Sequence, residues 1–75
     1  MKTIGVIVAM NKEMAKLKTI INVTETFEIY NNTFFCGEYN NTKIVLAISG
    51  IGKVNAAMTT MLMIANFNPS LIINS

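Results

Sequence analysis

The sequence holds no histidine, no tryptophan and no arginine, with a single cysteine and a single proline. Each absence closes a class of chemistry. With no His and only one thiol, Cys36, there is no ligand set for a structural metal, and no internal disulfide can form. A lone Cys in a strand-like stretch reads as a small buried hydrophobe. The six cations are all lysines, scattered along the chain, and the net charge is only +2. No basic stripe accompanies the aromatics, so nothing points to nucleic acid. The longest apolar pattern, Ala56 to Ala65, falls short of the ~20 residues that span a bilayer.

Two weak signals mislead. Met1-Lys2 and the apolar run Thr3 to Met10 imitate a signal peptide, but the run is short, Asn11-Lys12-Glu13 ends it, and no A-x-A site follows. Asn22-Val23-Thr24, Asn31-Asn32-Thr33 and Asn40-Asn41-Thr42 fit the glycosylation pattern. Among ten asparagines, with no secretion signal, chance accounts for them. The expected location is cytoplasmic.

Charge is also scarce. Of 75 residues, 52% are hydrophobic and 13% charged, against ~25% charged in ordinary globular chains. That is too little to clothe an isolated small domain. Much apolar surface is therefore expected to meet more protein, either the rest of a larger domain or a partner subunit. One partial domain over residues 1–75 is expected.

What is present reads as α/β. Thr3 to Ala9 is a largely β-branched run suited to a strand buried on both faces, with Gly5 allowing a close approach. Asn11 can cap a helix running to about Ile21, with Met10, Met14, Leu17 and Ile21 on one stripe. Glu13 falls in its first turn at the stripe's edge, roughly 60° from Met10. Three strand-like stretches follow, Glu25 to Tyr30, Thr33 to Tyr39 and Lys43 to Ile48, joined by expected turns at Asn31-Asn32 and Asn40-Asn41. Phe27, Ile29 and Phe34 give this meander an apolar face that needs a cover. A second helix, from near Gly52 to about Phe67, is apolar almost all round and is expected to be buried on both sides. Its Met58, Met61 and Met63 suit either a subunit contact or core packing. Asn68-Pro69-Ser70 stops it. Leu71-Ile72-Ile73 reads as a short buried strand, and a chain stopping at Ser75 just after it is expected to be truncated.

Two junctions carry the candidate chemistry. Gly50-x-Gly52-Lys53 imitates a phosphate loop, but Ala47 stands where that motif needs Gly, and Val54 where it needs Ser or Thr. A dinucleotide fingerprint needs a third Gly where Asn55 stands. A structural turn and a ligand loop both remain open there. Glu13 has two readings as well: a carboxylate complementing the helix dipole, or a general base on a water. Glu25, Glu28 and Glu38 lie in the meander, where solvation is expected.

Taken together, Ile4-Gly5-Val6-Ile7-x-Ala9-Met10-x-x-Glu13, Ser49-Gly50-Ile51-Gly52-Lys53-Val54-x-Ala56-Ala57 and Pro69-x-x-Ile72-Ile73-Asn74 resemble the amino-terminal third of the 5′-methylthioadenosine/S-adenosylhomocysteine nucleosidases. These belong to the purine nucleoside phosphorylase-like superfamily. The resemblance runs over nearly the whole chain, in order. It implies a mixed-sheet, three-layer α/β/α fold in the order β-α-β-β-β-α-β. It implies hydrolysis of an N-glycosidic bond with release of adenine, in methionine salvage, by a homodimer with no metal or organic cofactor. It makes Glu13 the residue that activates water, puts Ala9 and Met10 beside the ribose and water, and sets Ile51 against the 5′-thio substituent. It also implies that the purine-protonating aspartate and the adenine-stacking aromatics lie beyond Ser75, so that residues 1–75 alone are inactive. Asn11-Lys12 departs from the more acidic residues many members carry there.

Three alternatives stay open. A phosphorylase would use phosphate, but Ala9-Met10-Asn11-Lys12-Glu13 has neither the Gly nor the Arg of the usual phosphate site. A hydrolase for another nucleoside fits the same residues. A non-catalytic interaction module would leave Glu13 pointing into bulk solvent, away from the Gly50–Gly52 turn.

Overall fold

A computed structural model describes residues 2–9, 11–49 and 53–74. The elements run β1 (Thr3–Val8), α1 (Asn11–Ile20), β2 (Asn22–Ile29), β3 (Asn32–Tyr39), β4 (Thr42–Ile48), α2 (Lys53–Phe67) and β5 (Leu71–Asn74). The five strands form one sheet in the order β2-β3-β4-β1-β5. β1 is parallel to both its neighbours, β4 and β5, whereas β2-β3 and β3-β4 are antiparallel.

Alternation along β4 shows how the sheet is covered. Ile44 and Leu46 join Val8 of β1 and Met14 and Ile21 of the α1 region in one core cluster. Val45 and Ala47 join Ile7, Phe34, Cys36 and Met63 of α2 in another, with Phe67 packed against it. Successive side chains of a strand point to opposite faces. The helices therefore cover opposite faces, giving the α/β/α layering expected. The connection from β1 leads to β4 by way of α1 and the hairpins, and that from β4 returns past β1 to β5. Crossovers of one hand that run in opposite directions put their helices on opposite faces.

Gly5 allows the close approach read from the sequence. A Cβ at that position would overlap Met63 Sδ, and Met63 is fully buried there. The apolar face of the meander is covered by the end of α2. The Phe67 ring lies 5.3 Å from that of Phe34 and 5.9 Å from that of Phe27, in tilted arrangements typical of aromatic pairs. On the other face, Lys18 Nζ stands 4.1 Å above the Phe35 ring.

Four expectations need correction. The first hairpin turns at Tyr30-Asn31, one residue before the expected pair, with φ of 47° and 63°. Asn32 instead opens β3, where its amide donates to Tyr30 O at 3.0 Å and its Oδ1 accepts from Thr59 at 3.0 Å. The second hairpin turns at Asn40-Asn41 as expected, with φ of 50° and 61°. Positive φ at both positions is the type I′ pattern that matches strand twist.

β2 begins at Asn22, earlier than expected, because β3 offers it a side-chain-free position. A Cβ on Gly37 would collide with the Asn22 carbonyl. The pairing passes through a bulge between Val23 and Glu25.

α2 is buried on one side only. Thr59 and Met63 are fully covered, while Met58, Met61 and Ile64 are 50%, 71% and 51% exposed. The helix forms an outer layer on this sheet, so its second apolar side meets solvent here. β5 is an edge strand rather than a buried one, with Leu71 and Ile73 about half exposed. α2 itself ends where Asn68 adopts φ 44°, a left-handed stop that Asn tolerates, just before Pro69.

Candidate active site

The site follows from topology. β1 and β4 are parallel neighbours whose chains leave for opposite faces of the sheet. Such a point, at the carboxyl ends of the strands, opens the crevice in which α/β proteins bind ligands. Val8 and Ile48 are the last register pair. Beyond them, Ser49 N donates to Val8 O at 2.9 Å. The two junctions singled out in the sequence thus start from neighbouring strand ends, at Val8 and at Ser49.

Glu13 lies in the first turn of α1 and is half-buried. Its partial burial agrees with its place at the edge of the apolar stripe. Ala9 is exposed at the end of β1. Met10, Ile51 and the turn Gly50 to Gly52 lie outside the described residues. Glu25, Glu28 and Glu38 are exposed on β2 and β3; Glu28, paired with Thr33, lies toward the same end of the sheet as Val8 and Ile48 but on the edge strand. Glu13 is the one carboxylate on the helix that follows β1.

On the α2 side, a cleft of about 370 Å³ opens at the end of β4, between the β2–β3 turn and the first turns of α2. Tyr30, Asn31, Asn32, Ser49, Asn55 and Met58 line it together with Ile48. Behind it sits Thr59, fully buried. Its hydroxyl has two acceptors in reach, Asn32 Oδ1 at 3.0 Å and Asn55 O at 2.9 Å. A hydroxyl carries one proton, so it serves one of them at a time. Either way the buried hydroxyl is satisfied, and the bond to Asn32 is the one that ties α2 to the β2–β3 turn. Sequence reasoning missed this cleft and the Thr59–Asn32 link. The available signal was a pair of hydroxyl residues, Thr59-Thr60, inside the stretch Ala56 to Ala65, otherwise made of Met, Ala, Leu and Ile.

Cys36 is buried and free. Burial raises its thiol above the ordinary value of 9.0; Lys43 lowers it and Glu25 raises it by smaller amounts. It packs as the small hydrophobe expected. Among the described residues no group of three His, Cys, Asp or Glu is placed to hold a metal, and no helix is long and apolar enough to cross a membrane.

The family model for the phosphorylase superfamily matches residues 3–75. The chain belongs to that superfamily. It is 45% identical over 73 residues to the 5′-methylthioadenosine/S-adenosylhomocysteine nucleosidase of Oceanobacillus iheyensis, covering 97% of this chain and 32% of the relative. Its fold matches the nucleosidase of that name from Neisseria meningitidis, solved in complex with methylthio-immucillin-A. The TM-score is 0.94 at 36% identity, covering all of this chain and 32% of that one. It also matches the native futalosine hydrolase of Helicobacter pylori, with a TM-score of 0.90 at 33% identity, over 99% of this chain and 32% of that one. The chain spans about a third of the length of these superfamily relatives.

Proposed function

We propose that this chain is the amino-terminal part of a nucleosidase that hydrolyses the N-glycosidic bond of 5′-methylthioadenosine and S-adenosylhomocysteine, releasing adenine, with Glu13 activating the attacking water. The observation that carries it is the half-buried Glu13 in the first turn after β1, at the point where β1 and β4 part to opposite faces. The similarity to nucleosidases along 97% of the chain supports it.

The chemistry fits the position. Glycosidic cleavage passes through an oxocarbenium-like state. The C1′–N bond breaks with its electron pair going to the purine, a water oxygen bonds C1′, and Glu13 takes the proton that water loses. A proton donor outside residues 1–75 neutralises the departing base. Ala9 and Met10 flank the water and ribose on the β1 side. Ile51 lines the wall for the 5′-thio group on the β4 side. The parent acts in the cytoplasm, in methionine salvage, as a homodimer without metal or organic cofactor. The exposed Met58, Met61 and Ile64 supply apolar surface suited to a subunit contact.

Water rather than phosphate is the nucleophile, because the β1 junction has no Gly or Arg and the chain has no arginine at all. The likeness to futalosine hydrolase keeps a second nucleoside in view. The test is a chimera in which residues 1–75 replace the matching third of the O. iheyensis relative, assayed for adenine release. Phosphate-independent turnover of both thionucleosides is expected. Turnover that requires phosphate, or that is confined to futalosine, would overturn the reading.

A further inference from the structure

The turn between β2 and β3 is fastened to a helix, and the fastening has two settings. Tyr30 and Asn31 make the turn, and Asn32 closes it opposite Ile29. The Asn32 side-chain amide donates to Tyr30 O at 3.0 Å, which fixes which end of the amide accepts. Its Oδ1 accepts from Thr59 at 3.0 Å. Thr59 is fully buried, and a buried hydroxyl left without an acceptor is costly. A second acceptor removes that cost. Asn55 O, one turn back on α2, lies 2.9 Å from the same hydroxyl. Thr60 next to it makes that backward bond, to Ala56 O at 2.8 Å. At the other end of the link, Asn32 is part-exposed, so water can take over its Oδ1 once the turn moves. Breaking the Thr59–Asn32 bond therefore strands no buried group on either side.

The turn also stands where a movement changes the surface. Tyr30, Asn31 and Asn32 line one side of the cleft at the end of β4, and α2 supplies Asn55 and Met58. β2 is an edge strand paired with β3 alone, and the Tyr30 ring, 82% exposed, does not anchor the tip by burial. The hairpin at the opposite end has the same pair of positive φ angles at Asn40 and Asn41, but it joins two strands that lie inside the sheet. It serves as an internal control.

We propose that the β2–β3 turn is a flap beside the cleft at the end of β4, latched to α2 by the Thr59–Asn32 bond and released when the Thr59 hydroxyl turns to Asn55 O. Thr59 and Asn32 act by positioning the turn. Release widens the cleft without unfolding the sheet. The latch stands independently of the nucleosidase reading, since it needs no ligand.

Native-state hydrogen exchange in the chimera tests it, because a local opening exposes its own amides and leaves the rest protected. In the unmodified chimera the closing pair of the turn, Ile29 and Asn32, is expected to exchange faster than Val45 in the middle of the sheet. Thr59→Val removes the latch, and the loss of one net hydrogen bond should speed exchange at Ile29 about tenfold. Exchange at Tyr39 and Thr42, which close the second hairpin, should stay as it was. Thr59→Ser keeps the hydroxyl and should keep the original rates. Asn32→Ala cuts the latch from its part-exposed end. It should speed Ile29 as Thr59→Val does, and it carries the test if Thr59→Val does not fold. Three results would each overturn the proposal. Equal acceleration at both hairpins would make Thr59 a contributor to global stability alone. Unchanged exchange at Ile29 in the folded variants would mean that the bond latches nothing. Exchange of the closing pair as slow as that of Val45 in the unmodified chimera would mean that the turn opens only with the sheet.

Discussion

Met63 occupies the space that a side chain on residue 5 would fill. Its sulfur lies where a Gly5 Cβ would be, and it is completely buried there. This contact seats α2 on β1, the strand that carries the crevice. Gly5→Ala must push the methionine aside, and overpacking of this kind costs about 1–3 kcal/mol. In the chimera, urea denaturation should show that loss. Combining Gly5→Ala with Met63→Leu should cost less than the sum of the two single changes, since the two residues share one volume.

Glu13 separates its two readings cleanly. If it only complements the helix dipole, Glu13→Gln costs about 0.3–1 kcal/mol of stability and little activity. As the base, its loss removes about 10²–10⁴-fold of turnover. The large fall in kcat is expected, with a melting temperature shifted by only a few degrees. A variant that keeps wild-type kcat would refute the assignment.

Cys36 predicts the alkaline limit. Its folded thiol is raised above 9.0 by burial. Below 9.0 both states hold the proton and the contribution is complete. As pH rises past 9.0 the unfolded chain releases its proton first, and stability falls until the folded thiol ionises as well. Denaturation midpoints should therefore drop above about pH 9, and Cys36→Ala should flatten that slope. Native protein should react slowly with thiol reagents, because Cys36 is only 2% exposed.

Tyr30 carries a conformational cost. It holds φ 47° with its ring 82% exposed, and the left-handed region costs a non-glycine residue roughly 1–2 kcal/mol. Tyr30→Gly should raise stability by about 1 kcal/mol. A loss on thermal denaturation would mean that the exposed ring makes a contact worth more than the strain.

Phe67 closes the face formed by Phe27 and Phe34. Phe67→Ala should destabilise by about 3 kcal/mol, at the low end for a buried Phe because Phe67 is only half-buried. Phe27→Ala, with its ring already 40% exposed, should cost less. The reverse order would show that the edge hairpin, not α2, anchors this cluster.

The layering was legible because periodicity decides it. The β-branched run of β1, the Met14–Leu17–Ile21 stripe of α1 and the Asn40-Asn41 pair at the second hairpin each point to one structure. What escaped were features set by contact between distant segments. The first turn moved back one residue because Asn32 has partners at Tyr30 and Thr59 that its neighbours cannot announce. β2 lengthened because Gly37 leaves room for Asn22, a fact about β3. The outer sides of α2 and β5 read as buried because apolar residues do not declare how much protein surrounds them. At the site, spacing placed Glu13 in the first turn of α1 at the edge of its apolar stripe, whereas the roles read for Glu13 and Ala9 came from the family resemblance. The cleft was not, since neutral amides in a turn carry no motif.

The hydrogen bond from Ser49 N to Val8 O has a consequence for motion. It extends the β1–β4 ladder by one rung beyond the last paired strand residues, and β1 has neighbours on both sides. The Ser49 amide should therefore exchange with deuterium at the pace of the central strands rather than of a surface loop. The start of the β4–α2 junction would then open only when the sheet itself opens, which makes Ser49 the fixed end of that junction.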